Sequence, residues 1–246
     1  THGSVELKDQ YLPKMRSGEW MGTMALSEPH AGSSLANIRT VAVPHVGEGA
    51  AEGEVRIRGD KMWTTGAFQD FSSNIIHMLL ARYDGAPEGN AGISLFLVPS
   101  VLPDGSRNDI ELVSLNKKMG HKAVTNCAWS LGGEKGGAVG YLVGPPNRGL
   151  LCMFTMMNAM RILVGVSAAT LGKRGYQESL LYAQEREQGG LPIVMHDDVK
   201  RMLLLQKAYS EVTARLLTRP STYSYLPRPY LPALPHSPGP AHVPDL

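Results

Sequence analysis

An α+β protein is predicted, with an antiparallel β-sandwich or barrel followed by an incomplete helical bundle. From Thr23 to about Val143, apolar residues recur with a period of two between breaks of Gly, Pro, Asn and Asp. From Leu150 onward the spacing becomes helical, with little Pro and many good helix formers. No Gly-x-Gly-x-x-Gly follows a strand-like run, which argues against a nicotinamide-binding βαβ array.

Taken in order, residues 1–20 read as the tail of a helical region, with Tyr11-Leu-Pro-Lys-Met-Arg-Ser-Gly-Glu-Trp20 as its exit. Strands are predicted at 23–28, 38–46, 54–63, 75–83, 93–98, 110–116 and 126–131. Turn signals such as Glu88-Gly-Asn-Ala-Gly92 and Pro103-Asp-Gly105 separate them. After the first strand, Ser27-Glu28-Pro29-His30-Ala31-Gly32-Ser33 reads as a turn: Pro29 has no amide hydrogen and Gly32 tolerates positive φ. Its amides and small hydroxyls could face a ligand, although a Ser/Pro/Gly cluster taken alone is an ordinary turn.

The pattern changes at Gly144-Pro-Pro-Asn-Arg-Gly149, and 150–188 predicts one long helix or two joined helices. A further helix is expected to start near Asp197 or Asp198, whose carboxylates suit an N-cap and the positive end of the helix dipole, and to run toward Leu217. Two helices cannot close a four-helix bundle, so an apolar stripe must wait for partners. Eight of the 17 prolines fall after Thr218, so 219–246 is expected to be extended or disordered. Two overlapping PxxP segments, Pro229-Tyr-Leu-Pro232 and Pro232-Ala-Leu-Pro235, would suit a proline-binding domain. A truncation, through a frame change, fusion scar or gene-model artefact, is the expected origin of this tail.

Composition narrows the classes further. With 43% hydrophobic and 19% charged residues, the chain reads as soluble and globular. A net charge of +2 without clustered basic residues gives nucleic acid no footprint. Cys127 and Cys152 lack CxxC spacing and read as small core residues in a reducing compartment. His30, His77 and His121 match no metal motif. No apolar run is read as approaching the roughly 20 residues of a membrane span, and neither a signal peptide nor an Arg-rich targeting helix is recognised. A cytoplasmic location is expected.

Three spaced blocks carry the chemistry: Met24-Ala-Leu-Ser-Glu-Pro-His-Ala-Gly-Ser-Ser-Leu-Ala-Asn37, Lys61-Met-Trp-Thr-Thr-Gly66 and Phe154-Thr-Met-Met-Asn-Ala-Met-Arg161. With Lys118-Met-Gly120 and Tyr141-Leu-Val-Gly144, they resemble the acyl-CoA dehydrogenase family over about 7–218, particularly large bacterial members acting on short or functionalised acyl groups. The resemblance implies a remnant of the N-terminal helical domain at 1–20, the middle β domain at 21–146 and the start of the C-terminal helical domain at 147–218. It also implies α,β-dehydrogenation of acyl-CoA with FAD, electron transfer to an electron-transfer flavoprotein, and a homo-oligomer.

Carried over residue by residue, the resemblance puts backbone near Met24 and Leu26 and the Ser27 hydroxyl against the isoalloxazine. Trp63 covers one flavin face, Thr65 lies near N5, and Arg186 reaches the pyrophosphate, often across a subunit boundary. Ser33 faces the CoA, while Asn158 and Arg161 line the acyl-CoA cavity. Read without that context, Arg161 could equally pack its stem and extend its head to solvent. Ser34 stands where the family usually has aspartate.

No catalytic residue is assigned. Neither family position for the Cα-proton base supplies a glutamate: one holds Met160, and the other lies beyond the resemblance. Glu28 belongs to the turn motif. The chain is therefore expected to be inactive alone. Two alternatives are an association module without catalysis and an acyl-CoA oxidase of the same superfamily.

Overall fold

Strand β3 (Glu54–Thr65) organises the first part of the chain, and its twelve residues serve two sets of neighbours. Its first half pairs antiparallel with β2 (Val41–Pro44) and β8 (Ala138–Leu142), and its second half with β7 (Asn126–Leu131). The change of partner falls at Gly59, with φ of +146°. A Cβ there would lie 2.6 Å from Thr40 Oγ1, so only glycine lets β3 turn this corner against Thr40.

This computed structural model describes residues 1–46, 51 and 53–217, so the Pro-rich stretch 219–246 lies outside the described residues. Helix α1 (Val5–Ser17) begins with the Ser4 hydroxyl accepting from Leu7 N–H and ends at Gly18, with φ of +81°. More helix is present here than the exit turn expected from the sequence. Tyr11, its buried residue, packs near Trp20 and Tyr141.

Strands β1 (Trp20–Ala25), β4 (Asn74–Tyr83), β5 (Ile93–Pro99) and β6 (Ile110–Leu115) complete an eight-stranded sheet. Because β2 bonds both β3 and β4, the path β4-β5-β8-β3-β2 returns to its start as a small barrel. Strand β1 flanks β4, and β7-β6 extends from β3. The expectation of antiparallel pairing needs correcting at β4, which pairs parallel with β1 and β2, making the sheet mixed. Alternating side chains are blind to strand direction, and long excursions separate these strands from β4.

The core is formed by Val55, Ile57, Leu79, Phe96, Val98, Trp129 and Leu131, inward positions of four strands. Strand β8 was not anticipated, because its five residues follow a Gly-rich turn. Gly140 within it has Ile57 Cδ1 only 2.7 Å from where a Cβ would stand. Cys127 and Cys152 are both buried, as expected.

The chain divides into two compact units, Thr1–Phe154 and Thr155–Leu246. Helix α2 (Gly149–Glu185) starts in the first, where Asn147 N–H donates to Ser94 Oγ at 2.8 Å and Cys152 and Met153 are buried, and runs on into the second as one continuous helix. A hairpin of β9 (Glu187–Gln188) and β10 (Leu191–Pro192), turning through Gly189 and Gly190 at positive φ, follows it where helix was expected to continue to 188. Helix α3 (Asp197–Leu217) holds Asp197 and Asp198 inside its first turn rather than as caps. Arg201 and Asp198 pair there at 2.7 Å.

The reading that no apolar run reaches membrane-spanning length also needs correcting. Helix α2 contains an 18-residue window with mean hydropathy of 1.6, of which only 17% is buried. By length and composition it could cross a bilayer, and the core helix of a soluble helical domain passes the same test. Polar residues such as Asn158 and Arg161 masked the run in the sequence.

Candidate functional site

The end of β1 and the far half of β3 meet through hydrogen bonds that join two sequence-distant motifs. Met62 N–H donates to Ser27 C=O at 2.9 Å, and the Thr23 hydroxyl donates to Thr65 C=O. Beneath them, Lys61 Nζ donates to Leu26 C=O at 3.2 Å, Glu28 Oε1 at 2.9 Å and Leu80 C=O at 2.7 Å. The Lys61 side chain has no solvent exposure and that of Glu28 has 2%.

Glu28 is satisfied from every side. Its Oε2 accepts from Arg39 N–H at 2.6 Å, and its Oε1 accepts from Thr40 N–H at 3.1 Å and from the Thr40 hydroxyl. A buried charge requires such partners. Burial pushes the Glu28 carboxyl up, but the Lys61 ammonium, the Arg39 amide and the Thr40 hydroxyl together hold it below the usual carboxylate range. Burial pushes Lys61 down to about 8 against the pull of Glu28. Removing one partner of such a pair typically costs about 3–5 kcal/mol, because the other charge is left buried and unpaired.

A bulge sets the outer surface. The β3–β7 register shifts between Lys61 and Thr64, which takes Met62 and Trp63 out of the ladder. Trp63 has φ of +60° and is 58% exposed, an unusual combination for a large aromatic residue. Asn126 Nδ2 donates to Trp63 C=O at 3.3 Å and to Thr65 Oγ1 at 3.0 Å, fixing both residues from β7. Between them Thr64 turns inward and accepts from Trp129 Nε1 at 2.8 Å. The ladder thus alternates a buried anchor with exposed Trp63 and Thr65.

Five expected residues, Met24, Leu26, Ser27, Trp63 and Thr65, therefore come together in the first unit. Met24, Leu26 and Ser27 are half-buried, and Trp63 and Thr65 are exposed. Ser33 is exposed just beyond the tight Glu28–Ala31 bridge, which forms the predicted turn. A half-buried polar backbone edge beside an exposed tryptophan and a threonine hydroxyl suits a planar heteroaromatic group with ring carbonyls. The residues present thus fit a flavin ring.

Asn158, Arg161 and Arg186 belong to the second unit. Arg161 Nη1 donates to Asn158 Oδ1 at 3.2 Å, one helical turn away. Arg186 is exposed where α2 gives way to the β9–β10 hairpin, and its C=O accepts from Ile193 N–H at 2.7 Å. Met160 is exposed on α2, and Glu178, five helical turns further along, pairs with Arg174. Among the described residues no group of three or more His, Cys, Asp or Glu could hold a metal ion.

Sequence reasoning missed Lys61 as a buried group. The signal was its parity: Lys61 shares the inward face of β3 with Val55 and Ile57, and a lysine on a core face demands a buried acceptor.

The two units have known counterparts. Residues 23–132 match the acyl-CoA dehydrogenase middle domain, and residues 147–222 match the acyl-CoA dehydrogenase C-terminal domain. The chain belongs to the acyl-CoA dehydrogenase family. It is 41% identical to 3-methylmercaptopropionyl-CoA dehydrogenase of Ruegeria pomeroyi over 223 residues, covering 85% of this chain and 36% of that protein. It is 35% identical to a butyryl-CoA dehydrogenase of Syntrophomonas wolfei, covering 91% of this chain and 39% of the relative. The chain thus spans well under half the length of these relatives. Among solved structures, Caenorhabditis elegans ACDH-11 in complex with C11-CoA superposes with a TM-score of 0.74 at 24% identity, over 92% of this chain and 37% of that one. At that identity the likeness concerns the fold.

Proposed function

We propose that this chain supplies the flavin-facing and acyl-CoA-facing framework of an FAD-dependent acyl-CoA dehydrogenase. The observation that carries the reading is the joining of the Ser27 edge to Trp63 and Thr65 over the buried Lys61–Glu28 pair. Backbone at Met24 and Leu26, with the Ser27 hydroxyl, orients the ring edge; Trp63 covers one face and excludes water; Thr65 offers its hydroxyl near N5. Arg186 supplies a guanidinium fork for the pyrophosphate. Ser33 contacts the CoA, and Asn158 and Arg161 line the acyl cavity.

FAD, when bound, supplies a hydride acceptor for the substrate Cβ. Removing the Cα proton needs a carboxylate at hydrogen-bond range. Met160 cannot take that proton, so the polypeptide alone is a poor catalyst. Assembly with further copies and electron transfer to an electron-transfer flavoprotein belong to the same proposal, as does a cytoplasmic location. The names of the dehydrogenase relatives favour an acyl-CoA thioester as the substrate class.

A second reading, an association module without catalysis, is favoured by the apolar exposure of the second unit. Leu171 is 73% exposed, and Leu204 and Tyr209 are 67% and 72% exposed. Quenching of flavin fluorescence on titration with the full chain separates the two. The flavin reading expects saturable quenching that weakens at least about tenfold in affinity, near 1.4 kcal/mol, on Trp63→Leu. Quenching that is absent, or indifferent to Trp63, would favour the association module.

A further inference from the structure

The lysine of the second motif does more than neutralise a buried acid. Its three ammonium hydrogens go to three different segments: Leu26 at the end of β1, Glu28 in the turn, and Leu80 in β4. Two of those acceptors are backbone carbonyls, which carry no net charge. Charge neutralisation of Glu28 therefore leaves two of the three bonds unexplained. What the tripod does is fix the direction of the Leu26 carbonyl.

That direction matters because of peptide geometry. The Leu26–Ser27 peptide is planar and trans, so its C=O and N–H point in opposite directions. With Leu26 C=O held toward the buried ammonium, Ser27 N–H is turned the other way, away from Lys61. The next carbonyl, Ser27 C=O, is held by Met62 N–H, immediately beside Trp63. Both peptide groups flanking Ser27 are thus oriented by residues 61 and 62 of one strand. An apolar residue at position 61 could fill the same volume but could not set the peptide plane.

We infer that Lys61 is a positioning residue: it orients the Ser27 amide as a donor toward a planar heteroaromatic ligand carrying ring carbonyls, on the face where Trp63 is displayed. This rests on the flavin reading proposed above for the same edge. Glu28 and Thr40 then serve to hold the ammonium in place, with Glu28 as the acceptor that fixes its third hydrogen.

The test compares 15N-labelled full chain with the double variant Glu28→Gln/Lys61→Met, which removes both buried charges together. The expected result is a displaced Ser27 amide resonance and Met62 amide exchange faster by at least about tenfold, with Met78 and Leu97 in the β4–β5 ladder still protected. The affinity for FAD, used as the probe, should fall by a similar factor. Unchanged Ser27 and Met62 amides in the folded double variant would overturn the inference and leave Lys61 a purely structural charge. Should that variant fail to fold, Lys61→Arg provides the comparison. A planar guanidinium cannot reproduce the ammonium tripod, so the Ser27 resonance should again move selectively, and its failure to move would equally refute the idea. If wild-type chain shows no FAD binding while the amide changes occur as stated, the flavin reading fails and the positioning of the Ser27 peptide stands.

Discussion

His77 shows how a single buried group ties this fold to pH. Its ring lies 4.7 Å from that of Trp129, its Nε2 meets Ser100 Oγ at 2.9 Å, and its side chain is wholly buried. Burial pushes its pKa down to about 3, because the imidazolium would have to enter the core. In the unfolded chain the same group titrates near 6.5. As pH falls from about 6.5 toward 3 the unfolded state takes up the proton first, so stability drops by about 1.4 kcal/mol per pH unit within that window. The depressed carboxyl of Glu28 acts in the same sense, since its stabilisation is present above its unfolded value and is lost as pH falls through its folded one. Urea unfolding between pH 6.5 and 4.5 should therefore show a steeper loss for wild type than for His77→Gln, which cannot titrate. Equal slopes would mean that His77 is protonated in the folded protein.

Strand β3 is the element on which the site depends, and Gly59 is its corner. Alanine at Gly59 would need φ of +146° and would meet Thr40 at 2.6 Å, so it strains β3 and displaces a donor to Glu28 at once. A loss of about 1–3 kcal/mol is expected for Gly59→Ala by chemical denaturation. A change within about 0.5 kcal/mol would show that the corner relaxes freely.

Elements of this kind were unevenly legible. The starts of β3, β5 and β7 were readable from alternation, and α3 from its acidic first turn, because period and capping are local properties. Strand β8 was hidden by its brevity, the β9–β10 hairpin by the helical run before it, and the parallel pairings of β4 by the fact that alternation carries no direction. At the site, Trp63, Thr65 and Ser27 were legible as motif residues. The Lys61–Glu28 pair was not, since its meaning depends on a partner 33 residues away in sequence.

Under the flavin reading, binding and chemistry fall on different parts of the whole molecule. The barrel carries a prepared ledge, whereas Met160 on α2 offers no proton acceptor. General-base catalysis contributes about 100- to 10,000-fold, so reduction of flavin by short-chain or medium-chain acyl-CoA should be slower than in a base-containing relative by that order. Anaerobic mixing followed by loss of oxidised-flavin absorbance measures it. Rapid bleaching that disappears on replacing Glu28, Glu178, Glu185 or Glu187 singly would identify a base in this chain and contradict the assignment.

Flavin binding at the Ser27–Trp63 edge is tested by a map of amide shifts in 15N-labelled full chain with FAD added to about 1 mM, a concentration that reveals binding as weak as about −4 kcal/mol. Shifts should concentrate at Ser27 and at Met62 to Thr65, with the Trp63 indole among the largest, and little change on the far strands β5 and β8. Shifts that avoid Ser27 and Trp63, or their absence altogether, would contradict binding at that edge.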